Sequence, residues 1–350
     1  MGRFKADDLT AFAEAVLDAA GLADDHARTT ARILVTADLL GYVTHGIQFL
    51  PQYCRELEEG RMAANGSPRL VSDTGAAVVY DGGRLPGPCC VEHAVGDLVG
   101  RARERNMAAA VIRHSANTAC LAAYLLPVVD AGLIGIIMVS SADGYAVAPA
   151  GGREARLSTN PLAFGFPTGR DPVLIDMATA ATTSRLTEKL QRENGRYTEE
   201  PLLDRAGRPT NDPAALTEAG GGAIRPLGGN ANEHKGFALA LAVQAMSAAL
   251  SGGGSFGDGK GLGSSTFIQV IDPGAFAGSD VFAREMDGLI DMLLETPARP
   301  GTQGVRIPGQ RAMATYRRQS RDGVQISDAL RRHVEPLAAT YGLDFPTPLD

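Results

Sequence analysis

The sequence predicts a mixed α/β fold, with helices gathered at both chain ends around a set of buried strands. Three observations predict it. Apolar residues recur at helical spacing near both ends, short continuous apolar runs lie between them, and Gly- and Pro-containing connections separate those runs. At 350 residues, 44% hydrophobic and 21% charged, the chain can bury one large core or two to three smaller ones.

Leu9, Phe12, Ala13, Val16, Leu17 and Ala20 form the stripe of a first amphipathic helix, with Asp7 and Asp8 suited to its positive amino end. A second helix is expected from Asp24 to Leu40, closed by Gly41. A third carries Leu50, Tyr53, Cys54 and Leu57 and ends near Gly60. Val91, Ala94, Val95, Leu98, Val99 and Ala102 make another helical stripe, leading into the apolar run Ala108 to Ile112, which reads as a buried strand. Leu133 to Val139, Val173 to Ile175 and Thr266 to Ile271 are further strands. Lys235 to Leu250 and Asp280 to Leu294 read as helices. Ser251 to Ser265 is Gly-rich and is expected to be a mobile surface loop.

Net charge is -7 with Lys and Arg scattered, so no nucleic-acid partner is expected. No stretch reaches the apolar length of a membrane span, and the amino end does not read as a signal peptide, so a cytoplasmic protein is expected. Cys54, Cys89, Cys90 and Cys120 form no C-x-x-C pair and read as free thiols, with Cys89 and Cys90 filling a packed turn. The six histidines show no ligand spacing, and no metal is expected.

Two motifs mislead. Gly252 to Gly257 matches G-x-G-x-x-G, but the segment before it, Phe237 to Leu250, is helical where a dinucleotide fold needs a strand. Gly254 to Lys260 imitates a P-loop, yet Gly261 stands where a Ser or Thr must bind magnesium.

Nine separated segments, in order, carry a stronger signal: Ala37-Asp38-Leu39-Leu40-Gly41 with Thr44-His45-Gly46, Pro51-x-Tyr53, Gly132-Leu133-Ile134-Gly135, Ala148-Pro149-Ala150-Gly151-Gly152, Ser158-Thr159-Asn160-Pro161-Leu162-Ala163, Asp176-Met177-Ala178-Thr179, Gly207-x-Pro209-Thr210-x-Asp212-Pro213, Pro226-Leu227-Gly228-Gly229 and His234-Lys235-Gly236. Together they resemble the type-2 malate/lactate dehydrogenase family, which includes ureidoglycolate and sulfolactate dehydrogenases and piperideine-carboxylate reductases.

The resemblance implies a non-Rossmann fold with a mixed sheet and helical flanks, a homodimer, a small-molecule substrate and an NAD(P)H cofactor, NADPH slightly favoured. It divides the chain into a catalytic and dimerisation part, 1–118 with 230–350, and a cofactor part, 119–229. It puts the cofactor against Leu121, Ser141, Asn160, Asp176, Met177, Ala178, Lys235 and the Pro308-Gly309-Gln310 turn. Lys235 is expected to pair a phosphate, Asn160 to orient the carboxamide or a ribose, and Ala178 and Gly236 to permit close backbone approach. His45 is the expected proton donor, with the Thr44 hydroxyl beside it and Asp176 polarising it or touching the cofactor.

The sequence departs from that pattern at two positions. Phe49 stands where many members carry an arginine that clamps a substrate carboxylate, and Asn117 stands where the dehydrogenases carry a histidine base. Phe49, Tyr53 and Asn117 are the expected substrate contacts. Arg113 or Arg55 would have to replace the clamp, and His114 reads as structural rather than as the missing base. Loss of one histidine favours reduction of a cyclic imine or related C=N group over a 2-oxo or 2-hydroxy acid, because an iminium ion needs a weaker acid. A cofactor-binding protein without redox activity is the third expectation.

Overall fold

The computed structural model describes residues 2–217, 219–254 and 263–349, apart from the side chain of Asn230. Most of the expected loop, and with it half of the G-x-G-x-x-G match and most of the P-loop imitation, lies outside these residues.

A short strand β1 (Gly2–Phe4) precedes α1 (Ala6–Ala19), α2 (Asp24–Leu39) and α3 (Leu50–Glu58). Leu9, Phe12, Ala13, Val16 and Leu17 are the buried face of α1, as their spacing requires. Strands β2 (Arg69–Asp73) and β3 (Ala77–Asp81) form a hairpin, followed by α4 (Gly87–Arg105), β4 (Met107–Ser115), α5 (Leu121–Asp130) and β5 (Ile134–Ser141). Cys89 and Cys90 are buried in the first turn of α4, and all four thiols are free. Next come β6 (Leu162–Phe166), β7 (Val173–Met177) and α6 (Ser184–Arg192), then three two-residue strands, β8 (Leu202–Leu203), β9 (Pro209–Thr210) and β10 (Ala223–Ile224). Helix α7 (Gly229–Gln244) runs on into a π-helical turn, Ala245–Ala249. The chain closes with β11 (Ser264–Ile271), α8 (Ser279–Leu294), α9 (Gln310–Asp322), β12 (Val324–Ile326), α10 (Asp328–Val334) and α11 (Pro336–Tyr341).

The main sheet has seven strands in the order β2-β3-β4-β11-β5-β6-β7, antiparallel except for the β3–β4 pair. Its centre is β11, and the strand is buried on both faces, which explains why Phe267, Ile268, Val270 and Ile271 do not alternate with exposed polar residues. Alternation along β5 shows what covers each face. Gly135 packs under Leu125 and Val128 of α5, whereas Ser140 bonds Ser247 of the π turn at 2.7 Å. Helices α4 and α5 therefore lie on one face, and α7 with its π turn on the other.

Strands β5 to β7 come from the segment 119–229 and β11 from the carboxyl-terminal segment, so the two expected parts share one sheet. The small β10-β8-β9 sheet, with its own apolar clusters around Val147, Leu202 and Ile224 and around Ala148, Leu203 and Ala223, lies wholly within 119–229. No helix among the described residues is long and apolar enough to cross a membrane.

Candidate active site

The Thr44-His45-Gly46 segment is held by the end of α2. Gly41, at φ +85°, turns the chain, its N–H bonding Asp38 O at 2.9 Å while that of Tyr42 bonds Ala37 O at 2.8 Å. This is the double closure that a left-handed glycine permits at a helix end. The Asp38 side chain is buried and accepts the Ile47 N–H at 2.8 Å. Gly46 is required here, because a Cβ would overlap the Asp38 carboxyl group. Burial pushes that carboxyl up to about 7, against the Ile47 bond that pulls it down, and its other oxygen has no hydrogen-bond partner among the described residues. Asp38 thus positions the His45 turn. The sequence reading quoted it only as part of a motif.

His45 is half-buried, and its Nδ1 shares a hydrogen bond of 2.9 Å with the Thr44 hydroxyl. Desolvation, followed by the nearby Arg185 guanidinium, lowers its imidazole to about 4. At neutral pH the ring is therefore uncharged. The expected role as proton donor thus requires that a bound ligand raise this imidazole.

Beside it, the buried Phe49 ring lies 5.8 Å from the His45 ring and 6.1 Å from that of Tyr53. Tyr53 is committed to the backbone, its hydroxyl donating to Asn117 O at 2.7 Å. The Asn117 side-chain oxygen accepts the Ala119 N–H at 2.8 Å. Neither expected clamp is at this place. Arg113 and His114 both bond Asp81, at 3.1 and 3.3 Å, and Arg55 is exposed on α3. The guanidinium near His45 belongs to Arg185 of α6, centred 4.9 Å from the middle of the Phe49 ring.

The expected cofactor residues fall into three groups. Ser141, Asn160 and the 176–178 segment meet at one end of the main sheet, and Asp176 joins them to Leu121. The Asp176 carboxylate accepts the Ala122 N–H at 2.8 Å and the Cys120 thiol at 3.6 Å, at the amino end of α5. Burial raises its carboxyl. It makes no hydrogen bond to His45 among the described residues, so the expected polarising contact is absent. Asn160 is fully buried, and its amide bonds Ser158 at 2.6 Å, Ala240 O at 2.9 Å and Gln244 at 3.0 Å. The Ser141 N–H bonds the same Ser158 hydroxyl at 3.0 Å. Met177 is 38% exposed and Ala178 half-buried just beyond β7. Lys235 forms the second group, exposed on α7 without an ion pair among the described residues. The space left by its neighbour Gly236 is filled by the backbone of Leu227, not kept for a ligand.

Pro308 and Gly309 form the third group, with Gln310 opening α9. They line a cleft of about 1200 Å³ between the end of α2, α6, α9 and α10. Tyr42, Val43 and Gln48, which flank His45 in sequence, line it too. So do Lys189, Arg192, Arg306, Arg311, Arg318 and Arg332, none of them in an ion pair among the described residues, against a single acidic side chain, Glu193. A cleft with that excess of unpaired cations attracts phosphate.

A mixed sheet with no Rossmann crevice, a half-buried imidazole and a phosphate-attracting cleft are the parts of a dehydrogenase outside the Rossmann class. The chain belongs to the malate/L-lactate dehydrogenase family, a family of oxidoreductases whose pattern it matches over residues 4–335. It is 30% identical to an L-lactate dehydrogenase of Cupriavidus necator, covering 94% of this chain and 93% of that one. It is 32% identical to a Δ1-pyrroline-2-carboxylate reductase of Ancylobacter novellus over 92% and 93% of the two chains. Its fold superposes on malate dehydrogenase of Entamoeba histolytica with a TM-score of 0.93, at 25% identity and 99% coverage of both.

Proposed function

We propose that the protein is an NAD(P)H-dependent reductase of a cyclic imine or related C=N substrate. The observation that carries this reading is Asn117 at the position of the second expected histidine, in a site where His45 lies beside Phe49 and Tyr53, and the 32% identity to a Δ1-pyrroline-2-carboxylate reductase is in keeping with it. A ketone needs an acid at its oxygen as hydride arrives, and burial, which lowers the His45 imidazole, disfavours a charged donor there. An iminium carbon accepts hydride without one, since the C=N electron pair moves onto nitrogen and the N–H is retained.

The cofactor fits the cation-rich cleft, where Arg192, Arg318 and Arg332 would hold phosphates beside the Pro308-Gly309 turn. When bound, the reduced nicotinamide supplies hydride. The surplus of cations favours NADPH, which carries the additional phosphate. His45 orients the substrate: with Nδ1–H donated to Thr44, its Nε2 lone pair faces outward to accept the iminium N–H.

The runner-up is oxidation of a 2-hydroxy acid, in which the same neutral imidazole accepts the hydroxyl proton. It is supported by the lactate and malate dehydrogenases among the relatives. We further propose a cytoplasmic homodimer, in keeping with four buried free thiols. A second copy would cover the exposed Leu239, Leu241 and Leu250 at α7 and Leu289, Met292 and Leu293 on α8.

Initial rates with Δ1-pyrroline-2-carboxylate and with pyruvate, followed by nicotinamide absorbance, test the reading. The imine should be reduced faster, with a rate that follows the imine's own protonation as pH changes. Brisk reduction of pyruvate with an inert imine would overturn it in favour of the runner-up.

A further inference from the structure

We propose that His333, where the cation-rich cleft meets the end of α10, is a ligand for a phosphomonoester, the 2′-phosphate of NADPH, and that it takes up a proton from solvent as that phosphate binds. The inference rests on the reading that the cofactor occupies this cleft. It adds which phosphate is recognised there and how pH governs the choice of cofactor.

Three consecutive basic side chains close α10, and their partners divide them. Arg331 is tied to Glu335 at 2.8 Å. Arg332 and His333 line the cleft instead, together with Lys189 and Arg192 of α6. The His333 ring makes no side-chain hydrogen bond among the described residues, so ring nitrogen capacity is left for a ligand.

The surroundings keep this ring neutral. Desolvation and then the Arg192 guanidinium lower its imidazole, and Arg185 adds to this, while the Gln48 backbone and Glu188 pull the other way. Arg306, Arg311 and Arg318 bring further positive charge to the same cleft, against Glu193. The other elements packed on α10 offer no free carboxylate in exchange. On α3, Glu56 is bonded to Gln52 and Glu58 to Tyr341 of α11, and Arg55 is exposed; Asp328 lies at the opposite end of α10.

A bound phosphate reverses the balance. Its charge neutralises the guanidinium groups that oppose protonation of the ring, and one of its oxygens accepts the N–H that the added proton creates. The free ring lies below the ordinary 6.5 and the bound ring above it, so the proton is gained around neutral pH. A phosphomonoester drives this most strongly, since it carries about −1.5 to −2 charges near neutrality on three terminal oxygens. Each phosphate of the pyrophosphate bridge has only a single charge. NADPH bears such a monoester and NADH does not, so His333 makes the preference for NADPH grow as pH falls.

Calorimetric titration of the full chain with NADPH and with NADH, in buffers of differing ionisation enthalpy, counts the protons taken up. Near neutral pH, NADPH should take up roughly half a proton to one proton more than NADH, and its affinity relative to NADH should rise about threefold from about pH 8 to about pH 6.5. His333→Gln should remove both the excess and the pH dependence while NADPH still binds at the alkaline end. His333→Lys, charged throughout, should keep the preference for NADPH with no uptake. Equal uptake for the two dinucleotides in wild type would overturn the proposal, as would an excess that survives His333→Gln. If Arg332→Gln removes the NADPH preference while wild type takes up no proton, the cofactor reading stands and the role of His333 falls. If inorganic phosphate alone binds with His333-dependent uptake while neither dinucleotide binds, the phosphate site stands and the cofactor reading falls.

Discussion

Two polar regions of this molecule look alike in sequence and differ in how their side chains are used. At the end of the main sheet, Asn160 makes three side-chain hydrogen bonds, Asp176 holds the amino end of α5, and Ser141 and Ser158 are joined. Around the 41–49 turn, and among the described residues, His45 has one ring bond, Arg185 has donors to spare, Asp38 has an orphan oxygen, and six cations line the cleft outside any ion pair. A side chain whose hydrogen-bonding capacity is already filled by the protein shapes the scaffold. One that keeps capacity beside a cleft is available to a ligand.

The largest effect should come from emptying the satisfied region. Asn160→Ala leaves the Ser158 hydroxyl, the Ala240 carbonyl and Gln244 without their buried partner, and should cost about 2 kcal/mol of stability or more in denaturant unfolding. A variant as stable as wild type that no longer responds to NADPH would show that Asn160 serves the cofactor, and the contrast between the two regions would collapse.

The second effect is a pH slope inside the reactive region. Asp38 has its carboxyl raised from 3.8 to about 7, so the stability it contributes is full below the unfolded value and is lost as pH rises toward 7. His45 is lowered from 6.5 to about 4, so its contribution is lost as pH falls from 6.5 to 4. The two slopes oppose each other across that window. Asp38→Asn should therefore make stability rise more steeply between pH 4 and 6.5 than in wild type, as read by melting temperature. An unchanged slope would mean that the carboxyl is not held protonated.

The smallest effect concerns the cleft. NADPH should raise the melting temperature more than NADH at equal concentration, and replacing Arg318 and Arg332 together by Gln should close that gap. Equal shifts in wild type would place the extra phosphate elsewhere.

The parts of this picture that were legible in the sequence are those with strong periodicity or local chemistry. The stripe of α1 and the apolar stretches within β4, β5, β7 and β11 announced themselves, and Gly41 marked the end of α2. Helix α5 did not, because Leu121 to Val129 is apolar almost all round and contains Pro127, so no polar face reveals a period. Helix α6 failed for the opposite reason: Thr187 is its only buried residue, and a short polar helix has no apolar stripe to read. That loss hid Arg185. Its only local signal was Thr183 as a helix cap, and nothing in the linear order ties residue 185 to residue 49. His45 was legible as a site residue but its charge state was not, since the shift comes from burial and from a guanidinium distant in sequence.

The most direct test of the account is His45→Asn, assayed with Δ1-pyrroline-2-carboxylate and NADPH alongside the thermal shift given by NADPH alone. If His45 orients the substrate and takes no part in holding the fold or the cofactor, turnover should fall by about 100-fold while the shift stays at its wild-type size. A His45→Asn protein that keeps full turnover would contradict the account.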